Sequence, residues 1–150
     1  MNNHSTGYWR AAVVGVAVFL GACGGGSDDG GPAANKAEWE KEHASTVKVV
    51  SDDIDRSVQA LNAGQRPVVL SECTQLQEDL AEARKAVPVP DPTVDAALRA
   101  AFDATTTAVN TCIEGARVAS DASIIEKAQR EMKVARERYD AAQNALKAWQ

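Results

Sequence analysis

The chain has 150 residues, of which 16 are basic and 21 acidic, and its formal net charge is −5. This length allows one small domain. The acidic balance argues against nucleic acid as a partner, because a phosphate-binding surface needs a basic excess. Apolar residues at 45% and charged residues at 25% are typical of a globular protein and exclude a collagen-like or wholly disordered chain.

The start of the chain is typical of a removable export signal. A polar stretch carrying Arg10 precedes ten uncharged and mostly apolar residues, 11–20. A helix that spans a bilayer needs about 20 apolar residues, so this run is too short to span one. Its length suits the apolar core of a signal peptide, and we therefore predict a signal peptide over residues 1–22.

The apolar run ends in Leu20-Gly21-Ala22-Cys23. This sequence resembles the lipobox of bacterial lipoproteins, in which a Leu and two small residues precede a Cys. The resemblance implies that a diacylglyceryl group is transferred to the Cys23 thiol and that the chain is cleaved between Ala22 and Cys23. Two or more acyl chains hold a protein firmly at a bilayer. The implied location is the extracytoplasmic side of the cell membrane, or of the outer membrane in an organism that has one.

A Gly-rich stretch follows this cysteine. Residues 24–35 contain no large apolar side chain and include the acidic pair Asp28-Asp29. Such a segment cannot bury enough surface to offset the entropy of ordering its backbone. We expect a lipidated Cys and a flexible tether over residues 23–37, and a folded domain over residues 38–150.

From Lys36 onward the apolar residues recur in steps of three and four, which is the spacing of amphipathic helices. There are four such blocks, and no segment has the alternation of a strand. The first block ends at Gly64, a C-cap glycine, and the second begins near Pro67. Short connections between four helices predict an all-α fold, an antiparallel four-helix bundle with up-down-up-down topology.

The sequence signals for the ends of the second, third and fourth helices differ in strength. The second block ends in a proline-rich connector, residues 87–92, and Asp91 is a good N-cap for the third helix. We place a short turn near Ser120-Asp121, where either residue caps the fourth helix. Without that turn, the third and fourth helices would form one rod of about 55 residues, which is long for a small domain.

Three cysteines are present, and Cys23 is assigned to the lipid. Cys73 and Cys112 remain as an even pair on the core-facing sides of the second and third helices. Disulfides persist in exported proteins, so we predict a Cys73–Cys112 bridge. The alternative is two buried free thiols. Helix lengths place the two cysteines at heights that differ by about 9 Å, an offset that the proline connector must absorb.

Residues with metal or catalytic chemistry are few beyond the signal. His43 is the one histidine there, and Glu40-x-x-His43 has a spacing that di-iron bundles use twice but this chain uses once. A haem held by His43 and Met132 is a formal alternative. Asp52, Asp53 and Asp55 lack the spacing of a calcium loop and indicate a polar helix face. We therefore predict no catalytic, cofactor or metal site.

Other features of the helices leave two interpretations open. The charged fourth helix, residues 126–140, is either a partner-binding face or a solvated surface. The hydroxyls of residues 105–107 face either the core or a pocket wall. Trp39 and Trp149 come to the same pole of an antiparallel bundle, where we expect them to form a hydrophobic cap rather than a contact patch.

The chain as a whole resembles the small, Ala-rich exported lipoproteins of bacteria with high-GC genomes. That resemblance is generic and carries no activity. We expect a non-catalytic, membrane-anchored helical module that touches the lipid bilayer through acylated Cys23 and contacts another envelope protein or polymer. The alternative is a carrier that holds a small ligand or cofactor in a bundle cavity, and an enzyme is the third hypothesis.

Overall fold

The computed structural model describes residues 32–118 and 122–150, with side chains from residue 35 onward. Four α-helices make up most of this part of the chain: α1 Pro32–Ala63, α2 Arg66–Ala83, α3 Pro92–Arg117 and α4 Ala122–Ala148. A 3₁₀ turn, Arg84–Ala86, follows α2 directly. Strands are absent from the described residues, so the fold is all-α, as predicted.

Contacts between consecutive helices, and between α1 and α4, give an antiparallel bundle. Trp39 near the start of α1 touches Trp149 just after α4. Gln129 near the start of α4 donates a hydrogen bond to the Leu61 carbonyl near the end of α1. Two contacts show that α2 and α3 also run in opposite directions. Cys73 of α2 is bonded to Cys112 near the end of α3, whereas Arg84, just after α2, contacts Asp103 at an earlier position in α3. The up-down-up-down topology predicted from the short connections is therefore confirmed.

The two ends of the bundle differ in construction. The end that holds Trp39 and Trp149, called here the Trp pole, contains the start of α1, the α2–α3 connector and the end of α4. The opposite end, called the turn pole, contains the α1–α2 turn. Gly64 closes that turn with a φ of +68°, a left-handed conformation that glycine adopts without strain. Its predicted role as a C-cap is confirmed.

The start of α1 corrects one expectation. The tether was expected to reach residue 37, but α1 begins at Pro32. Proline is tolerated in a first helical turn and alanine is the strongest helix former, so residues 32–34 extend the helix toward the signal. In addition, Lys36 Nζ donates to the Trp149 carbonyl at 2.6 Å, which ties this early turn to the end of α4.

The third and fourth helices are separate, as preferred from the sequence. α3 ends at Arg117 and α4 begins at Ala122. The cap expected at Ser120 or Asp121 lies outside the described residues. Gly115 is not a helix end: a Cβ added there would lie 2.9 Å from Ile125 Cδ1, so this glycine allows α4 to pack closely on α3.

The core is built from a few large side chains between many small ones. The largest fully buried side chains include those of Tyr139, Phe102, Ile54, Leu76 and Leu98. Fully buried alanines recur in α3 and α4: Ala101, Ala108, Ala128, Ala135 and Ala142. Small side chains let helix axes come close, but each buries little apolar area. The domain therefore has a thin core that gains much from covalent support.

The disulfide predicted between α2 and α3 is present. Cys73 and Cys112 are joined with their Cα atoms 6.3 Å apart, and both residues are fully buried. The connector absorbs the expected height offset by running extended beyond the end of α2. Arg84, just after α2, consequently meets Asp103, which lies about 16 Å along α3 from its start.

Replacing both core cysteines, as Cys73→Ser with Cys112→Ser, is expected to lower the free energy of unfolding by about 4 kcal/mol, because the bridge closes a loop of 39 residues. Urea denaturation with and without reductant measures this loss. Reductant should destabilise the wild type and leave the double variant unchanged. Equal denaturation midpoints for wild type and variant without reductant would contradict the prediction.

Asp91→Ala is expected to lower the free energy of unfolding by about 1 kcal/mol. The Asp91 carboxylate accepts hydrogen bonds from the backbone N–H groups of Thr93 at 2.8 Å and Val94 at 2.9 Å, and so caps α3. Asp79→Ala is the control, because Asp79 lies within α2, away from its ends, and accepts a side-chain hydrogen bond from Gln75 of the same helix. Urea denaturation measures the free energy of unfolding of both variants. An equal loss in the two would contradict the predicted contribution of the Asp91 cap.

Candidate functional site

The predicted site residues fall in two groups. Cys23, the expected lipid-bearing residue, lies outside the described residues. Cys73 and Cys112 are bonded to each other inside the bundle. They therefore act as a structural crosslink and not as reactive thiols.

The two tryptophans form the cap that the sequence predicted. Their ring centroids lie 5.9 Å apart in an edge-on arrangement, and both side chains are about nineteen-twentieths buried. Trp39 Nε1 donates to the Ala86 carbonyl at 2.8 Å. The indole thus satisfies a backbone oxygen at the end of the 3₁₀ turn, where α2 has already ended. Trp39 fills the space that the short α2 leaves at this pole.

His43 stands at the edge of that cap. Its ring packs against Trp39 with centroids 5.6 Å apart, and its Nε2 lies 3.8 Å from Glu42. Met132 is fully buried in α4, farther toward the turn pole. The hydrogen bond from Tyr139 to Val47 fixes the register of α1 against α4. That register separates His43 from Met132 by about 16 Å along the axis, too far for both to bind one haem iron.

The acidic residues of α1 point in three directions. Asp52 accepts from Lys48 at 2.6 Å, and this hydrogen bond lowers the pKa of Asp52. Asp55 pairs with Arg136 of α4 at 2.9 Å. Asp53 is buried against Arg56 instead. The three carboxylates therefore do not converge, and within the described ranges no group of three or more His, Cys, Asp or Glu is placed to hold a metal ion.

Burial of Asp53 was not foreseen from the sequence. Its Oδ1 accepts from Arg56, which also reaches Glu72 of α2 at 3.3 Å. Its Oδ2, and the Oγ of Ser57 one turn on, are buried without a partner among the described residues. The spacing of Asp53 and Arg56, three residues apart, was the available sign of an ion pair within α1. Arg56 thus forms ion pairs with Asp53 of its own helix and with Glu72 of α2, and the second pair joins α1 to α2.

The charged surface of α4 is mostly paired within the helix. Ion pairs four residues apart join Glu126 to Arg130, Lys127 to Glu131, and Lys133 to Glu137. Such exposed pairs contribute little stability each and keep the surface solvated. Arg136 differs, because it crosses to α1 and donates to the Ser51 carbonyl, to Ser51 Oγ and to Asp55. It holds α1 and α4 together.

The threonine run of α3 bonds to its own helix. Thr105 is buried and donates to the Ala101 carbonyl at 2.8 Å, while Thr106 donates to the Phe102 carbonyl at 2.8 Å. These bonds to the carbonyl four residues earlier satisfy the hydroxyls inside α3. The buried threonine thus belongs to the core, which resolves one of the two open interpretations.

A buried hydroxyl links α4 to α1. Tyr139 is fully buried and its Oη donates to the Val47 carbonyl at 2.5 Å. Burial raises the pKa of this phenol, because the charged form would lose its hydration. The sequence indicated only a core position for Tyr139. The partner carbonyl belongs to another helix, and helical periodicity cannot reveal it.

A shallow groove follows the α1–α4 seam next to the Trp cap. Its volume is about 210 Å³, and it is called here the seam groove. Apolar surface dominates its lining, which consists of Trp39, Glu40, Ala44, Val47, Lys48, Gln143, Leu146 and Lys147. The groove is open to solvent along one side. It offers a surface for part of an elongated apolar chain.

Comparison with known proteins adds no assignment: no family model, no curated protein and no solved structure matches this chain. Among the helices of the described residues, none is both long enough and apolar enough to cross a membrane. Function must therefore be argued from the residues themselves.

The effect of Tyr139→Phe on stability is expected to depend on pH. Near neutral pH the variant should lose about 1 kcal/mol, because the Val47 carbonyl loses its donor. Folding favours the protonated phenol, so the stability that Tyr139 contributes is complete below its ordinary pKa of about 10 and declines above it. The difference between wild type and variant should therefore shrink above about pH 10.

Urea denaturation at a series of pH values measures this difference, and the phenylalanine variant controls for all other groups that titrate in alkali. A difference that stays constant from neutral pH to strong alkali would show that the phenol titrates equally in the folded and unfolded states.

Proposed function

We propose that this protein is a lipid-anchored extracytoplasmic module that works without catalysis. In this proposal the acylated Cys23 holds it to a bilayer, and its helix surfaces contact another envelope protein or polymer. The observation that carries the proposal is the order of four features at the start of the chain: a basic residue, an apolar run, Leu20-Gly21-Ala22 and Cys23. That order resembles a lipoprotein signal.

The disulfide supports export. Cys73 and Cys112 are bonded and fully buried. Structural disulfides form and persist in oxidising compartments and are rare in the cytosol. A domain with a core this thin also depends on such a crosslink, as small exported domains often do. The bridge thus agrees with the location that the lipobox implies.

The bonding of the polar side chains supports a non-catalytic role. His43 rests on Trp39, Asp55 is paired with Arg136, and Asp95 holds both Arg99 and the Val89 backbone N–H. These bonds lower the pKa of Asp95, with the hydrogen bond from Arg99 as the main cause. A general acid near neutral pH needs a carboxyl pKa shifted upward instead. These groups stabilise the fold and leave the outer helix faces as the working surface.

The packing of the core gives no support to the alternative hypothesis, a carrier that holds a small ligand inside the bundle. Side chains of Phe102, Tyr139 and Met132 are fully buried between the helices, and Phe102 touches Tyr139 with ring centroids 6.4 Å apart. The concave surface beside the Trp cap is an open groove and not an enclosed pocket. An open groove cannot enclose a small ligand as a carrier does.

Cys23→Ser is expected to release the protein from membranes, because Cys23 is the residue that would carry the lipid. Membrane and soluble fractions of expressing cells, probed by immunoblot, measure the distribution. Metabolic labelling with a fatty acid should mark the wild type and not the variant.

Two further variants serve as controls. Ser27→Ala lies in the tether and should leave membrane binding and labelling unchanged. Cys73→Ser with Cys112→Ser removes two cysteines but keeps Cys23, and any folded protein should still carry the label. If Cys23→Ser stays as membrane-bound as the wild type and the wild type takes up no fatty acid, the lipoprotein proposal is wrong.

A further inference from the structure

The start of α1 at Pro32 sets how far the bundle can lie from a lipid on Cys23, and this inference rests on the proposed lipidation. Only residues 24–31 separate that cysteine from the helix. Eight residues span at most about 28 Å when fully extended. The first turn of α1 belongs to the Trp pole, so that end of the bundle is the one held near the bilayer.

The seam groove opens next to that pole. Trp39, Val47 and Leu146 give it an apolar floor and walls, and Ala44 is exposed along it. These side chains come from the first half of α1, residues 39–48, and from the end of α4, residues 143–147. The groove thus lies in the half of the bundle that includes the Trp pole, the half to which the tether is joined.

The charges around the groove suit an anionic partner. Lys147 is exposed and makes no ion pair within residues 35–118 and 122–150. Lys48 borders the opposite wall and is bonded to Asp52. The acidic lining residue, Glu40, lies 3.9 Å from Lys36, which balances its charge. The free positive charge at the rim is therefore that of Lys147.

Two occupants are within reach of this groove. One is the tether, but residues 24–31 contain only Gly, Ser and Asp. They have no apolar side chain to cover Trp39, Val47 and Leu146. The other is the bilayer to which Cys23 is attached, and its lipids combine apolar chains with headgroup phosphates. Of these two, the lipid matches both the apolar lining and the basic rim.

We propose that the seam groove binds an anionic phospholipid of the membrane to which the protein is anchored. An acyl chain lies against Trp39, Val47 and Leu146, and the headgroup phosphate lies at Lys147. This contact fixes the orientation of the domain: the Trp pole faces the lipid and the turn pole faces away, toward an envelope partner. A single-point anchor becomes a two-point anchor, which restricts the tumbling of the bundle.

Tryptophan fluorescence tests this contact directly. The full chain with Trp9→Phe and Trp149→Phe keeps Trp39 as its one tryptophan. It is reconstituted into phosphatidylcholine vesicles that contain a small fraction of brominated phosphatidylglycerol or of brominated phosphatidylcholine. Bromine quenches an indole only at close range. We expect brominated phosphatidylglycerol to be the more effective quencher by about fivefold, the factor that one lysine contributes near an anionic lipid.

Matched variants separate the groove from general surface charge. Lys147→Gln should abolish the preference for the anionic lipid, while Lys133→Gln, an equal charge change elsewhere on exposed α4, should keep it. Ala44→Phe should fill the groove and reduce quenching, while Ala141→Phe, at an exposed site outside the groove, should not. Circular dichroism of each variant confirms that it is folded.

The intact mass of the same sample reports whether Cys23 is acylated. Acylated protein with no quenching of Trp39, or with equal quenching by both lipids, overturns the groove proposal and leaves the lipoprotein proposal standing. Unacylated protein overturns the lipoprotein proposal, and selective quenching in that sample would support the groove alone. Unacylated protein without selective quenching overturns both.

Discussion

Helices rich in alanine bury enough apolar surface only if their backbones come close together, and the rest of this structure depends on that constraint. Three of the five buried residues of α4 are alanine, α3 adds Ala101 and Ala108, and at Gly115 of α3 a methyl group would lie 2.9 Å from Ile125 Cδ1. Close approach increases dispersion contacts but leaves few large side chains to exclude water. The bundle therefore depends on specific bonds and contacts between helices in addition to the packing of apolar side chains.

Three of these features act between helices. The Cys73–Cys112 bridge joins α2 to α3 and restricts the unfolded chain. Tyr139 and Arg136 of α4 donate hydrogen bonds to the backbone carbonyls of Val47 and Ser51 in α1. Trp39 and Trp149 close the end at which α2 stops short. Together these bonds and ring contacts stabilise a bundle in which few large side chains are available for packing.

Local chemistry made much of the fold predictable from the sequence. Gly64, Asp91 and the cysteine pair each do what their residue type and position indicate. The two tryptophans meet because an antiparallel bundle brings the start of α1 and the end of α4 to the same pole. The less predictable features depend on other helices. The register of α4 against α1 decides the partner of Tyr139, and the height of α3 follows from an extended connector that periodicity does not describe. The early start of α1 owes part of its stability to Lys36 meeting the Trp149 carbonyl.

The features of the candidate site divide in the same way, into those indicated by a local motif and those formed by the packing of two helices. Sequence motifs predict an anchor at Cys23, which lies outside the described residues, whereas the seam groove is formed by two helices and could not be predicted from either one alone. We propose that the crosslinked bundle is attached to a membrane by a lipid on Cys23, and the other proposals depend on this attachment. Intact mass analysis of the protein extracted from membranes, under non-reducing conditions, is the most direct test. We expect a chain that begins at Cys23, carries a diacylglyceryl group and has no free thiol at Cys73 or Cys112. A chain without lipid that begins elsewhere, or one with both of those thiols free, would contradict it.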